Sequence, residues 1–126
     1  MKLRILGNSL RLRLTQSETQ AIGRGEAVSD SVSFPGEKRL TYALEPSDSP
    51  QLDARFEGER IVVRVPRKEA AVWATGEGVS LEGSCPLPEG EALRILVEKD
   101  FRCLKERPAE DESDLFPHPD AESQSC

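Results

Sequence analysis

Arginine is the residue type in this chain most suited to binding chemistry, and its spacing is regular. Arg11, Arg13, Arg64 and Arg94 each sit one residue out of phase with an alternating apolar set, in the stretches LRLRL, IVVRV and LRILV. In an extended strand that phase puts them together on the face opposite the apolar side chains. A planar guanidinium presents a fork of donors that matches carboxylate or phosphate. A sheet that turns this face inward would converge several guanidinium groups on a channel for a small anion. The simpler reading is a solvated face, on which Asp53, Glu57, Glu82 and Glu98 partner the arginines.

Other chemistry finds less support. His118, Cys126, Cys103, Asp111 and Asp114 are metal-ligand types, but no pair has a recognised ligand spacing, so no metal site is assigned and no cofactor is expected. The single histidine lies in a proline-rich tail, where nothing holds it within reach of a nucleophile. Cys85 beside Pro86 has no activating base next to it. Gly23-Arg24-Gly25 and Gly76-Glu77-Gly78 stop helices where a phosphate-binding loop would start one.

The elements that carry the arginines occur twice. Gly58–Val79 falls on Gly7–Val28 when shifted by 51 residues, matching Gly58 to Gly7, Val63 to Leu12, Arg64 to Arg13, Glu69 to Glu18, Trp73 to Ile22 and Gly76 to Gly25. Alternation predicts a hairpin over residues 2–14 across Gly7-Asn8-Ser9, and strands over 26–34, 40–44, 52–56, 60–65, 79–81 and 93–97. Thr15-Gln16-Ser17-Glu18 has the form of a capping box, and Gly23 and Gly25 limit its helix to about two turns. Pro66 suits the first position of a second helix, with Ala70, Trp73 and Ala74 on its apolar face. The reading is α+β: a β-α-β3 unit taken twice, about eight antiparallel strands in a barrel-like sheet, and two short helices, over residues 1–104.

Residues 105–126 read as an acidic, proline-containing tail. The chain carries 17 basic and 23 acidic residues, but 2 and 7 of these fall in residues 103–126, so the body is almost neutral. That balance excludes a general nucleic-acid binder. Three cysteines without CxxC spacing, no leader-like opening and no long apolar run point to a soluble cytoplasmic protein with no membrane contact. Leu115-Phe116, set among acids and Pro117, is a docking spot for the chain's own body or for a protein partner.

Two resemblances accompany these readings. The duplicated β-α-β3 order resembles the triphosphate-tunnel, or CYTH-like, fold. That likeness implies a barrel in which Arg11, Arg13, Arg64 and Arg94 contact a polyphosphate and, were the protein an enzyme, a triphosphate-type phosphohydrolase. The family's ExExK signature is replaced here by KLRIL, which leaves the metal-dependent chemistry without its acids. The opening MKLRILGNSLRLRLTQSE, YALE at 42–45 and EDESDLFPHP near the end resemble a family of small uncharacterised bacterial proteins. The expectation is a non-enzymatic binding or adaptor module, with an anion-binding tunnel protein as the alternative.

Overall fold

Alternating apolar residues over short stretches, separated by turn residues, form four local hairpins in the computed structural model, which describes residues 1–101. The strands are β1 (Lys2–Ile5), β2 (Ser9–Leu14), β3 (Val28–Phe34), β4 (Lys38–Ser47), β5 (Asp53–Glu57), β6 (Arg60–Pro66), β7 (Ser80–Pro86) and β8 (Ala92–Lys99). Helix α1 (Gln16–Gly23) follows β2, and α2 (Arg67–Thr75) follows β6. Gly7, Gly36 and Gly58 take positive φ in three of the hairpin turns, which a side chain would oppose. The Thr15 hydroxyl accepts the Glu18 amide at 3.3 Å while the Glu18 carboxylate accepts the Thr15 amide at 2.9 Å, so the capping box closes as expected.

The strands assemble into two four-stranded sheets, in the orders β1-β2-β8-β7 and β3-β4-β6-β5. The expected single barrel-like sheet is therefore not a closed barrel. All-antiparallel pairing also gives way at the centre of each sheet, where β2 runs parallel to β8 and β4 parallel to β6. The cause is an exchange between the two halves. Each half is β-β-α-β-β, not β-α-β3, because β1 corresponds to β5 under the 51-residue shift. The first hairpin of a half lies in one sheet and its second hairpin in the other, with the helix crossing between them. A strand of one half thus meets a strand of the other half at each sheet centre.

The core-facing rows are apolar: Leu10, Leu12 and Leu14 on β2, Ile95 and Val97 on β8, Leu44 on β4, and Val63 and Val65 on β6. Ile22 and Ala70 and Trp73 of the two helices join them in one buried cluster. Burying side chains of this size stabilises by roughly 1.5–3 kcal/mol each. Trp73, on the apolar face expected of α2, is buried in the core, and its indole N–H donates to the Val79 carbonyl at 3.0 Å. With this interior filled by hydrocarbon, the strand arginines lie on the outer faces and line no channel. Among the described residues, no helix is long and apolar enough to cross a membrane.

The helices cross where a residue meets its own repeat counterpart. A Cβ placed on Gly23 would come within 2.7 Å of the Ala74 Cβ, and 23 and 74 differ by the same 51 residues. Close approach of equivalent positions is what a pseudo-twofold axis requires. Gly→Ala in a helix ordinarily stabilises by roughly 0.5–1 kcal/mol. Here Gly23→Ala is expected to destabilise by about 1–3 kcal/mol through overpacking. The double variant Gly23→Ala, Ala74→Gly should recover part of that loss, as read from urea midpoints of the three proteins.

Candidate functional site: the outer face of the first sheet

Hairpin register decides which charges stand together. On the outer face of the first sheet, Lys2 lies opposite Arg13 and Arg4 opposite Arg11, so two like-charge pairs face each other across β1 and β2. The next strand adds Arg94, opposite Ser9, and Glu98, opposite Arg13. Strand β7 adds Glu82 and Ser84 beside Leu96 and Arg94. Five cations therefore share this face with Glu82 and Glu98, and Asp100 just past β8 reaches Lys2. Like charges directly opposite each other destabilise a sheet unless carboxylates offset them, and here Asp100 holds Lys2 and Glu98 holds Arg13.

The second sheet shows the compensated version. At positions related to Lys2 and Arg13 by the repeat stand Asp53 and Arg64, and at those of Arg4 and Arg11 stand Arg55 and Val62. Arg64 closes a two-pronged ion pair on Asp53, with Nε to Oδ1 at 2.9 Å and Nη2 to Oδ2 at 2.7 Å. Glu45, across the parallel seam from Arg64, accepts instead from Arg60 at 3.3 Å. In the first sheet Glu98 holds the seam position of Glu45 and bridges two arginines, Arg13 at 2.8 Å and Arg11 at 3.5 Å. Lys2 is tied to Asp100 at 3.1 Å, just past the end of β8.

This face is hollowed. A cavity of about 790 Å³ is lined by Arg4, Arg11, Arg94 and Glu82, with Leu6 and Leu96 among them. A second hollow of about 510 Å³ lies alongside, sharing Arg4 and Arg11 and adding Lys2 and Arg13. Leu6, in the β1–β2 turn, is 68% exposed at the rim. Arg94 is exposed and makes no ion pair among the described residues. The whole is a basic strip with apolar footholds, open to solvent along one side.

Of the four arginines singled out from spacing, Arg11, Arg13 and Arg94 come together here. Arg64 does not: it lies on the other sheet, engaged with Asp53. Lys2 and Arg4 belong to the strip and were missed. The alternation KLRIL carried the signal, since the turn at Gly7-Asn8 sets Arg4 against Arg11. Leu115 and Phe116 lie outside the described residues, as do Cys103, Asp111, Asp114, His118 and Cys126. Cys85 is a free, half-buried thiol.

Sequence comparison gives the chain a family. It belongs to DUF7009, a family of unknown function, whose model matches residues 1–120. The match runs from β1 through both halves of the repeat and on into the acidic C-terminal segment. No curated protein matches the chain, and no solved structure does. The likeness to the CYTH-like fold thus has no solved counterpart to support it, and the DUF7009 family brings no catalytic residue with it.

Two carboxylates of the DUF7009 chain have a measurable acid signature. Hydrogen bonding from Arg64, against the opposing effect of burial, holds the Asp53 carboxyl below its ordinary value of 3.8. Burial pushes the Glu18 carboxyl up, but hydrogen bonds from the Met1 ammonium, at 2.7 Å, and from Thr15 outweigh it and leave it below 4.5. A carboxyl depressed by folding contributes stability that is complete above its unfolded pKa and is lost as pH falls through its folded value. Stability should therefore hold from neutrality to about pH 4.5 and drop in more acid solution. Asp53→Asn is expected to cost about 1 kcal/mol at pH 7 and to make that drop shallower, as followed by urea midpoints between pH 7 and 3.

Proposed function

We propose that this protein is a non-enzymatic binding module of the bacterial cytoplasm, and that the outer face of its first sheet takes up an acidic protein segment. One observation carries the reading. Where the second sheet pairs Asp53 with Arg64, the first sets Lys2 against Arg13 and Arg4 against Arg11. Cations gathered on one face give it a positive field that attracts an acidic segment. Leu6 and Leu96 inside the basic hollow favour an occupant with apolar side chains between its carboxylates. Forked guanidinium groups then supply charge-assisted hydrogen bonds to those carboxylates.

A second reading, a small polyanion such as triphosphate, is supported by the same convergence of Arg11, Arg13 and Arg94. The two differ in what they need beyond charge: a peptide uses Leu6, and a phosphate chain does not. Fluorescence anisotropy with a labelled acidic octapeptide containing leucine and phenylalanine tests both. The full-length protein should bind it in 50 mM salt and lose at least tenfold in affinity in 300 mM salt. The double variant Arg4→Glu, Arg11→Glu should show no saturable binding while keeping its thermal midpoint. Leu6→Ser should weaken the peptide severalfold and leave triphosphate competition unchanged. Equal binding by wild type and the double variant would refute the assignment.

A further inference from the structure

Each sheet ends in two edge strands: β1 and β7 in the first, β3 and β5 in the second. An edge presents backbone donors and acceptors to any other strand, and proteins blunt it with charge, proline, glycine kinks or short length. Three of these edges are blunted. Strand β1 has four residues and carries Lys2 and Arg4, β5 carries Asp53, Arg55 and Glu57, and β7 carries Glu82, Gly83 and Pro86. Strand β3 reads VSDSVSF: seven residues, one charge, and neither glycine nor proline. We infer that β3 pairs antiparallel with β3 of a second copy about a twofold axis at Val32, joining the two second sheets into one of eight strands.

The repeat shows why this edge stays open. Under the 51-residue shift, Val32 and Phe34 fall on Gly83 and Cys85 of β7. At Gly83 the fold closes on itself: a Cβ there would come within 2.6 Å of the Leu52 Cβ, just ahead of β5. Val32 carries the Cβ that such an approach forbids, and among the described residues no strand lies beyond β3. Val32 and Phe34 are 42% and 51% exposed. They continue the row side of Val28 and Leu44, with Leu40 opposite Val32, but lie beyond the buried cluster.

The strand's own sequence fits a second copy. In a twofold pairing the residue on the axis meets itself, and its neighbours meet their mirror positions. Val32 then faces Val32 of the second copy, which extends the Leu40–Val32 pair into a row of four apolar side chains. Ser31 faces Ser33 of the second copy, and Asp30 faces its Phe34, so no like charges are opposed. Lys38 of the second copy joins the row of Asp30 one strand further on, at about 10 Å between backbones, within reach of a lysine side chain. Within one copy these charges make loose contacts, Asp30 with the Met1 ammonium at 3.9 Å and Lys38 with Glu59 at 3.8 Å. Pairing removes the open edge, and the outer edges that remain are the charged β5 strands, so growth stops at two copies. A strand pair over residues 30–34 buries less than the roughly 1,600 Å² of a standard interface, so the dimer is dissociable. The acidic-segment face lies on the other sheet and is not involved.

The test is the oligomeric state of the full chain. Sedimentation velocity should show the average mass rising from monomer toward dimer between about 5 and about 500 µM, as suits a small interface. Val32→Lys and Val32→Glu place like charges on the axis, and each alone should self-associate roughly tenfold or more weakly. An equimolar mixture of the two should recover the dimer, which also shows that both variants fold. Wild type that stays monomeric throughout would overturn the inference and leave the edge to a strand of a different protein. A dimer that Val32→Lys leaves intact would place the interface elsewhere and defeat it. Failure of the mixture to recover, with both thermal midpoints unchanged, would refute the twofold at Val32.

Discussion

Parallel hydrogen bonding of β2 to β8, and of β4 to β6, is the constraint on which the rest of this architecture depends. Every other strand pair is a local hairpin that its own turn can hold together. The two seams join strands of different halves: Arg13 and Glu98, paired across one of them, are 85 positions apart, and Glu45 and Arg64, paired across the other, are 19 apart. Without the seams the four hairpins would be two-stranded ribbons with one face bare, and such ribbons are marginal in water. With them, Leu12 stands beside Val97 and Leu44 beside Val63, and both sheets present a continuous apolar face to α1 and α2. The crossing of the helices at Gly23 and Ala74 then fixes how closely the halves approach.

A duplicated scaffold carries its own control experiment. The two sheets have the same strand order and the same seam, with arginine facing glutamate at corresponding positions: Arg13 with Glu98 and Arg64 with Glu45. They differ in the outer strand. Asp53 on β5 draws Arg64 sideways into a two-pronged ion pair, while Lys2 on β1 repels Arg13, which turns to Glu98 instead. The second sheet sets Asp53 beside Arg64, where the first gathers Lys2, Arg4, Arg11, Arg13 and Arg94 on one face. Scaffold requirements are common to both, so the difference between them is where function is to be sought. The C-terminal residues 103–126 carry 7 acidic and 2 basic residues of a chain whose overall balance is −6.

Much of the local structure was legible in the residues. The hairpin at 2–14, the capping box at Thr15, the short helices and the alternating strands follow from turn chemistry and periodicity, which act over a few residues. Other boundaries moved for local reasons too: Glu45 to Ser47 continue β4, because Pro46 at the strand's end can face Val65 across a parallel seam. The exchange of hairpins between halves was not legible. Alternation states which side chains share a face and leaves open which strand lies next to which, so antiparallel closure into a barrel and the seam-joined pair of sheets satisfy one and the same pattern.

The site divides along the same line. The sequence by itself determined that Arg11, Arg13, Arg64 and Arg94 oppose the apolar rows, and that the repeat, the near-neutral body and the acidic end coexist in one chain; these depend only on the order of residues and the geometry of an extended strand. Tertiary structure decided that Arg94 joins Arg11 and Arg13 and that Arg64 is removed to the other sheet. The first outcome hangs on hydrogen-bonded register between β2 and β8, across which Arg13 and Glu98 are 85 positions apart. Such pairing is selected by the burial of the whole core at once, and no single stretch of the chain encodes it.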